Sequence, residues 1–273
     1  MTIKRIVLGI EYDGSPYQGW QTQPHGRTVQ DVLEAALKRF AKYEILTVCA
    51  GRTDAGVHAV EQVVHFDTEL EREMYSWVNG VNSFLPSNIV VRWAKALTLD
   101  SDNQAFFHSR FSAFSRTYHY LLYNNPVRSS LWAGRAGWFF RPLNLDLMQN
   151  AAQYLLGEQD FTVFRAAACQ AKSPVKHIYE VKLRQQGDLI VFTLRANAFL
   201  HHMVRNIVGS LIFVGTERRE PEWIKMLIES KDRSLSAPTF MPDGLYLARV
   251  EYDPIWGLPL QIDENLPYTL KLV

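Results

Sequence analysis

Little in this 273-residue chain ties it to a membrane, an oxidising compartment or a metal. It has two cysteines, Cys49 and Cys169, far apart and with no Cys-x-x-Cys or Cys/His ligand spacing, so neither a disulfide scaffold nor a zinc site has support. Both read as reduced core residues. The longest apolar runs, such as Leu211 to Val214 and Ile89 to Val91, fall far short of the ~20 residues a membrane span needs. Met1 to Ile10 shows no signal-peptide pattern, and a cytoplasmic protein is expected. There is no Gly-rich dinucleotide loop, phosphate-loop signature or cluster of ligands. Net charge is almost absent: 29 Lys/Arg against 28 Asp/Glu leave +1, and bulk charge names no partner.

Hydrophobic residues are plentiful, at 47%, with 12% aromatic and 21% charged, which excludes a disordered chain and supplies a core. The length suits one large domain or two modest ones. Charge is also unevenly distributed. Residues 103–145, 161–179 and 189–216 contain no Asp or Glu but hold ten Lys/Arg and five of the eight His. A near-neutral protein segregated in this way can present a basic face to a polyanion such as nucleic acid.

Periodicity gives an order of elements. Ile3 to Tyr12 alternates and predicts a strand; Thr28 then caps a helix with apolar positions at Val29, Val32, Leu33, Ala36, Leu37 and Phe40. Strands follow at Ile45 to Ala50 and Val60 to Phe66, a helix through Met74, Trp77, Val78, Val81 and Leu85, and a strand at Ile89 to Ala96. The second half repeats β-α-β-β-α-β. It runs through Thr117 to Tyr123, a helix with Met148, Ala151, Ala152 and Leu155 stopped by Gly157, strands at Ile178 to Arg184 and Leu189 to Arg195, a helix from about His201, and Leu245 to Tyr252. A short extra helix is expected at Pro221 to Ile228. The expected fold class is therefore α+β: two tandem ferredoxin-like units, 1–105 and 106–252, with antiparallel sheets side by side, a cleft between them, and an irregular tail at 253–273. The boundary is expected near Asp100 to His108.

Three segments could carry chemistry. Gly51-Arg52-Thr53-Asp54-Ala55-Gly56-Val57-His58-Ala59 crowds Gly, Arg, Asp and His into a connection between strands. A plain turn, with Asp54 bonding its own backbone, would explain it too, but a simple turn has no use for Arg52. An aspartic-protease reading is poor, because neither the Asp-Thr-Gly order nor a partner carboxylate is present. The second segment, Phe107 to Tyr120, interleaves aromatics with His108, Arg110 and Arg116. Alternation would put Arg116, Tyr118 and Tyr120 on one face, as a stacking surface for single-stranded nucleic acid or as a packed core strand. The third is His201-His202-Met203-Val204-Arg205-Asn206-Ile207-Val208-Gly209, where Val204, Val208, Leu211 and Ile212 would form the core stripe and Arg205 would share a face with His201 and Gly209. Adjacent histidines on a helix point about 100° apart, which disfavours a two-His metal site.

Together these segments resemble the tRNA pseudouridine synthases of the TruA type. The match runs through Gly51 to Ala59, Phe107 to Ala113, Arg116 to Tyr118 and His201 to Gly209, and resumes at Ala237-Pro238 and Gly244-Leu245-Tyr246. One departure is Asn88, where the family more often carries aspartate; the expectation is that only a local turn away from the chemistry is affected.

The resemblance implies an isomerase, free of cofactor and metal, that re-attaches uracil to ribose through C5, with Asp54 as nucleophile, Arg205 as its ion-pair partner and Tyr118 stacking on the target base, the C5 proton going to Tyr118 or to water. Arg52 would enter the space left by the flipped base, and His58, Arg110, Arg116 and His202 would contact substrate. The implied substrate is the anticodon stem-loop of tRNA at positions 38, 39 and 40, and the implied assembly a homodimer with no membrane association. Two other readings compete: a catalytically silent RNA-binding protein, which leaves Arg52, Asp54 and Arg205 unexplained, and a glycosidic-bond hydrolase, which usually needs a second carboxylate. Glu61 is the nearest acid after Asp54, but at strand spacing it is no obvious partner.

Overall fold

A computed structural model describes residues 3–98 and 107–259. Of these, the residues up to Phe114 and those from Leu247 onward form one compact unit, and Ser115–Tyr246 form another. Both are mixed α/β.

The first unit runs β1 (Lys4–Tyr12), α1 (Val29–Ala41), β2 (Val48–Cys49), β3 (His58–Thr68), α2 (Met74–Asn82) and β4 (Ile89–Thr98). Helix α1 begins where local chemistry says it should. Thr28 accepts from Asp31 N while the Asp31 carboxylate takes the Thr28 N–H, a reciprocal capping box. Lys38 and Arg39 sit in the last turn, where the helix dipole favours cations. Leu33, Ala36 and Leu37 are buried as the spacing predicts, and Phe40 packs at 5.0 Å against Trp77 of α2. Strand β1 is antiparallel to both β3 and β4, so it is flanked on both edges. Ile6 to Ile10 are all buried, so both faces of the strand are covered, where simple alternation would have exposed every second residue. The strand order is β4-β1-β3, with β2 pairing on β3 over only two residues of the Ile45 to Ala50 stretch.

The second unit contains most of β5 (Ala113–Asn124), then β6 (Gly137–Phe139), α3 (Leu145–Gln153), β7 (Gly157–Asp160), β8 (Val175–Gln186), β9 (Leu189–Ala196), α4 (Met203–Gly215) and α5 (Trp223–Ser230). Its order is β5-β9-β8-β7, with β6 parallel to β5. Strands β6 and β7 were not expected. They are three and four residues long, too short to show a period. Helix α3 ends at Gln153, four residues before the expected stop, and Gly157 opens β7. Helix α4 is buried on nearly every face, not along one stripe, with Asn206 and Ser210 inside as well.

The last strand, β10 (Leu245–Tyr252), begins in the second unit and from Leu247 joins the first, beside β3. The sequence reading had assigned all of it to the second unit. Residues 99–106 of the expected boundary and 260–273 of the expected tail lie outside the described residues. Phe107 to Phe114 group with the first unit because Phe107 packs on Tyr252 at 5.1 Å and on Trp256 at 5.4 Å. Among the described residues no helix is long and apolar enough to cross a membrane.

Candidate active site

The Gly51 to Ala59 loop is anchored at both ends and from beneath. At its start Gln62 Nε2 donates to Gly51 O at 2.6 Å, and Ala50 N to Val63 O at 2.8 Å. In the middle Trp20 N donates to Thr53 O at 3.0 Å, and the Tyr12 hydroxyl meets Thr53 Oγ1 at 2.8 Å. Gly56 N reaches Tyr17 O at 3.3 Å, and Val57 N closes the turn on Asp54 O at 3.1 Å. The left-handed position is Gly56, with φ of 77°. Asp54 is thereby held half-buried between exposed Arg52 and exposed Ala55. Gly19 lets the neighbouring chain come this close. Its φ is 86°, and a Cβ there would lie 2.9 Å from Thr53 O.

His58 is buried within the first unit. It is 2% exposed, and its Nδ1 accepts the Gly14 N–H at 3.0 Å. That nitrogen also lies 3.2 Å from Asp13 Oδ1, but a nitrogen that accepts the Gly14 N–H carries no proton to donate, and Asp13 Oδ1 takes its hydrogen bonds from Ser15 N and Oγ. This bond ties the end of the loop to Gly14. Asn88 is nearer the site than expected. Its Oδ1 accepts from the Tyr17 hydroxyl at 2.7 Å, and Tyr17 O in turn holds Gly56.

Arg52 and Arg110 are both exposed and both act on Cys49, whose thiol burial pushes up to about 11 against their pull. Neither cysteine is fully buried; Cys169 Sγ accepts from His201 N at 3.4 Å, and it lines a surface turn, not a core.

In the second unit Tyr118 is 9% exposed and meets Phe199 edge to face at 5.0 Å. Tyr120, two residues on, is wholly core, its hydroxyl donating to Met241 O at 2.9 Å. Arg116 Nη1 donates to Asn197 O at 3.0 Å, and His119 Nδ1 meets Thr193 Oγ1 at 3.0 Å. Helix α4 starts only at Met203. His201 and His202 precede it, and His202 is left-handed with φ of 63°. Their rings consequently lie 4.0 Å apart, not splayed about a helix axis. Arg205 Nε donates to Phe240 O at 2.8 Å. The stretch around Phe240 was missed by periodicity because it has none; its only signal was Ala237-Pro238. Of the ten cations in the acid-free stretches, none is buried, as a basic surface requires.

A family model described as tRNA pseudouridine synthase matches residues 9–112 and 151–253, and so covers both the Asp54 loop and helix α4. The chain belongs to the tRNA pseudouridine synthase family. It is 64% identical over 256 residues to the tRNA pseudouridine synthase A of Janthinobacterium sp. (strain Marseille), covering 94% of each chain. It is 62% identical to that of Herminiimonas arsenicoxydans, covering 95% of this chain and 94% of the relative. Against that of Paraburkholderia xenovorans (strain LB400) the identity is 55%, covering 98% and 97%. As a tRNA pseudouridine synthase the protein is an isomerase that modifies tRNA. The family spans the residues that bracket the loop, Tyr12, Tyr17, Trp20 and His58, so the scaffold beneath Asp54 belongs to the matched region as well.

Proposed function

We propose that the enzyme converts uridine to pseudouridine in the anticodon stem-loop of tRNA, at positions 38, 39 and 40, with Asp54 as nucleophile. The observation that carries the reading is that Asp54 is the sole carboxylate of a loop held at both ends and from below. A nucleophile needs such placement, since an ångström of error costs orders of magnitude in rate. In this reading Arg205 is the ion-pair partner of that carboxylate. The target uridine leaves the stem for the site, and Arg52 fills the gap it vacates. Tyr118 stacks on the base, and Arg116, Arg110 and His202 meet the RNA around it; His58 acts through the loop.

In the reaction the N1–C1′ bond breaks and the C5–C1′ bond forms. The C5 proton is lost to Tyr118 or water, and N1 gains one, with no change in oxidation state. Neighbouring uridines in varied contexts call for recognition of tRNA shape and backbone. The unburied cations of the acid-free stretches suit that role. The architecture we infer is two ferredoxin-like units, supported in the first by the order β4-β1-β3-β2. A cytoplasmic homodimer completes the reading.

A glycosidic hydrolase is less well supported. Glu61 is 6% exposed, sits within β3 and shares its surroundings with Arg249 and Glu251 of β10. The test is release of tritium from C5-labelled uridine in unmodified tRNA, with Asp54→Asn as control. Release with intact, carbon-linked product supports the isomerase; free uracil, or no release from any tRNA with uridine at these positions, overturns it.

A further inference from the structure

The first unit holds a tightly bonded turn whose base, Phe107 and Ser109, is buried and whose tip is not. The turn at residues 107–112 is tied at nearly every step. Arg5 Nη1 donates to Phe107 O at 2.5 Å, His108 N to Ser112 Oγ at 2.9 Å, and Ser112 N back to His108 O at 2.8 Å. Buried His65 accepts the Ser109 N–H at Nδ1, at 3.2 Å, and the Tyr252 hydroxyl donates to Ser109 O at 2.6 Å. His108 Nδ1 then accepts two consecutive backbone N–H groups, those of Arg110 and Phe111, at 3.1 and 3.3 Å. The rings continue the order: His65 meets His108 at 4.9 Å, and His108 meets Phe111 at 4.3 Å with a tilt of 32°.

The end of this stack faces solvent. Phe111 is 75% exposed, and Arg110 is exposed beside it with its guanidinium 5.7 Å from the Phe111 ring centre. Fixing a backbone costs about 1–2 kcal/mol per residue, and an outward phenylalanine returns little of that by burial. Burial of Phe107 and Ser109 accounts for the base of the turn, whereas at its tip two bonds to His108 Nδ1 hold Arg110 and an outward Phe111 that burial does not reward. A flat π-face next to a cation matches an unpaired nucleobase and its phosphate, the pairing by which single strands are held.

We propose that Phe111 stacks on an unpaired base of the RNA substrate while Arg110 takes an adjoining phosphate, with His108 as the positioning residue that holds the turn. This rests on the reading that the enzyme acts on tRNA. Position 111 is open to solvent, so its substitutions leave the core untouched.

The test is equilibrium binding of unmodified tRNA in an Asp54→Ala background. Phe111→Ala and Phe111→Leu should weaken binding about 5- to 150-fold, the value of one base–aromatic stack, whereas Phe111→Tyr, which keeps the π-face, retains affinity. Arg110→Gln should reduce the slope of log affinity on log salt by somewhat under one. His108→Asn, whose Oδ1 can accept the same N–H groups, should bind better than His108→Ala. Phe111→Ala binding like the parent, or Phe111→Leu binding like Phe111→Tyr, overturns the contact. Product formation by the unsubstituted enzyme on the same tRNA tests the underlying reading separately: product with no Phe111 effect sinks only the contact, and a Phe111 effect with no product sinks only the reading.

Discussion

Arg205 and Phe240 are bonded in both directions: Arg205 Nε donates to Phe240 O at 2.8 Å, and Phe240 N donates to Arg205 O at 3.3 Å. The guanidinium is therefore placed by a strap of chain, residues 236–241, and not by its helix alone. The strap is clamped next door, where Thr239 Oγ1 donates to buried Asn206 Oδ1 at 2.7 Å and accepts from Arg233 Nη2 at 3.1 Å. Thr239→Val keeps the shape and removes the hydroxyl. It should lower kcat roughly tenfold with a much smaller change in KM, and Thr239→Ser should restore the rate. Steady-state kinetics on tRNA, with thermal melting to correct for the folded fraction, decide this; equal loss in kcat and in folded fraction would make the hydroxyl merely structural.

Asp54→Ala should abolish pseudouridine formation while tRNA affinity stays within about tenfold, since uniform binding comes mostly from phosphate contacts. Product assay and filter binding on one preparation check both halves. Turnover at the parent rate would remove Asp54 from the chemistry.

Gly19→Ala places a side chain at φ of 86° and 2.9 Å from Thr53 O. More than about 1 kcal/mol of stability should go, and because the strained contact is with the Asp54 loop, activity per folded molecule should fall too. Urea titration beside kinetics separates the two effects.

Burial in β3 pushes the Glu61 carboxyl up to about 7, with Arg249 opposing and Glu251 adding to the rise. Since the unfolded carboxyl titrates near 4.5, the folded chain binds the extra proton between about pH 4.5 and 7, and stability should fall as pH rises through that window. The upper bound is about 3 kcal/mol. Glu61→Gln should flatten this slope, so the parent-minus-variant difference in urea midpoint should change sharply between pH 4.5 and 7 and level off above. A difference constant with pH would mean that Glu61 ionises normally.

Local chemistry was the most legible. Thr28, Asp31 and the α1 stripe could be read because cap and period involve residues a few positions apart, and Asp54 and Arg52 because they share one short loop. What was hidden depends on distant partners. Nothing near Tyr120 says that its hydroxyl goes to Met241, and nothing near Thr239 says that it locks onto Asn206. The resemblance implies substrate contact for His58, and nothing near it in sequence tells of the Gly14 N–H that its Nδ1 accepts, brought in by another loop. Asn88 was misjudged for the same reason, since its link to the site passes through Tyr17.

Strand β10 closes the first unit beside β3 with the whole second unit lying between them in sequence. During synthesis the residues that hold Asp54 leave the ribosome long before the strand that completes their sheet, so β3 must wait with an unpaired edge. The unit that emerges first is then the last to finish folding, and its closing step bears the entropy of a long loop. Chains halted before Leu247 would expose that edge to other strands, which makes premature termination an aggregation hazard as well as a loss of activity.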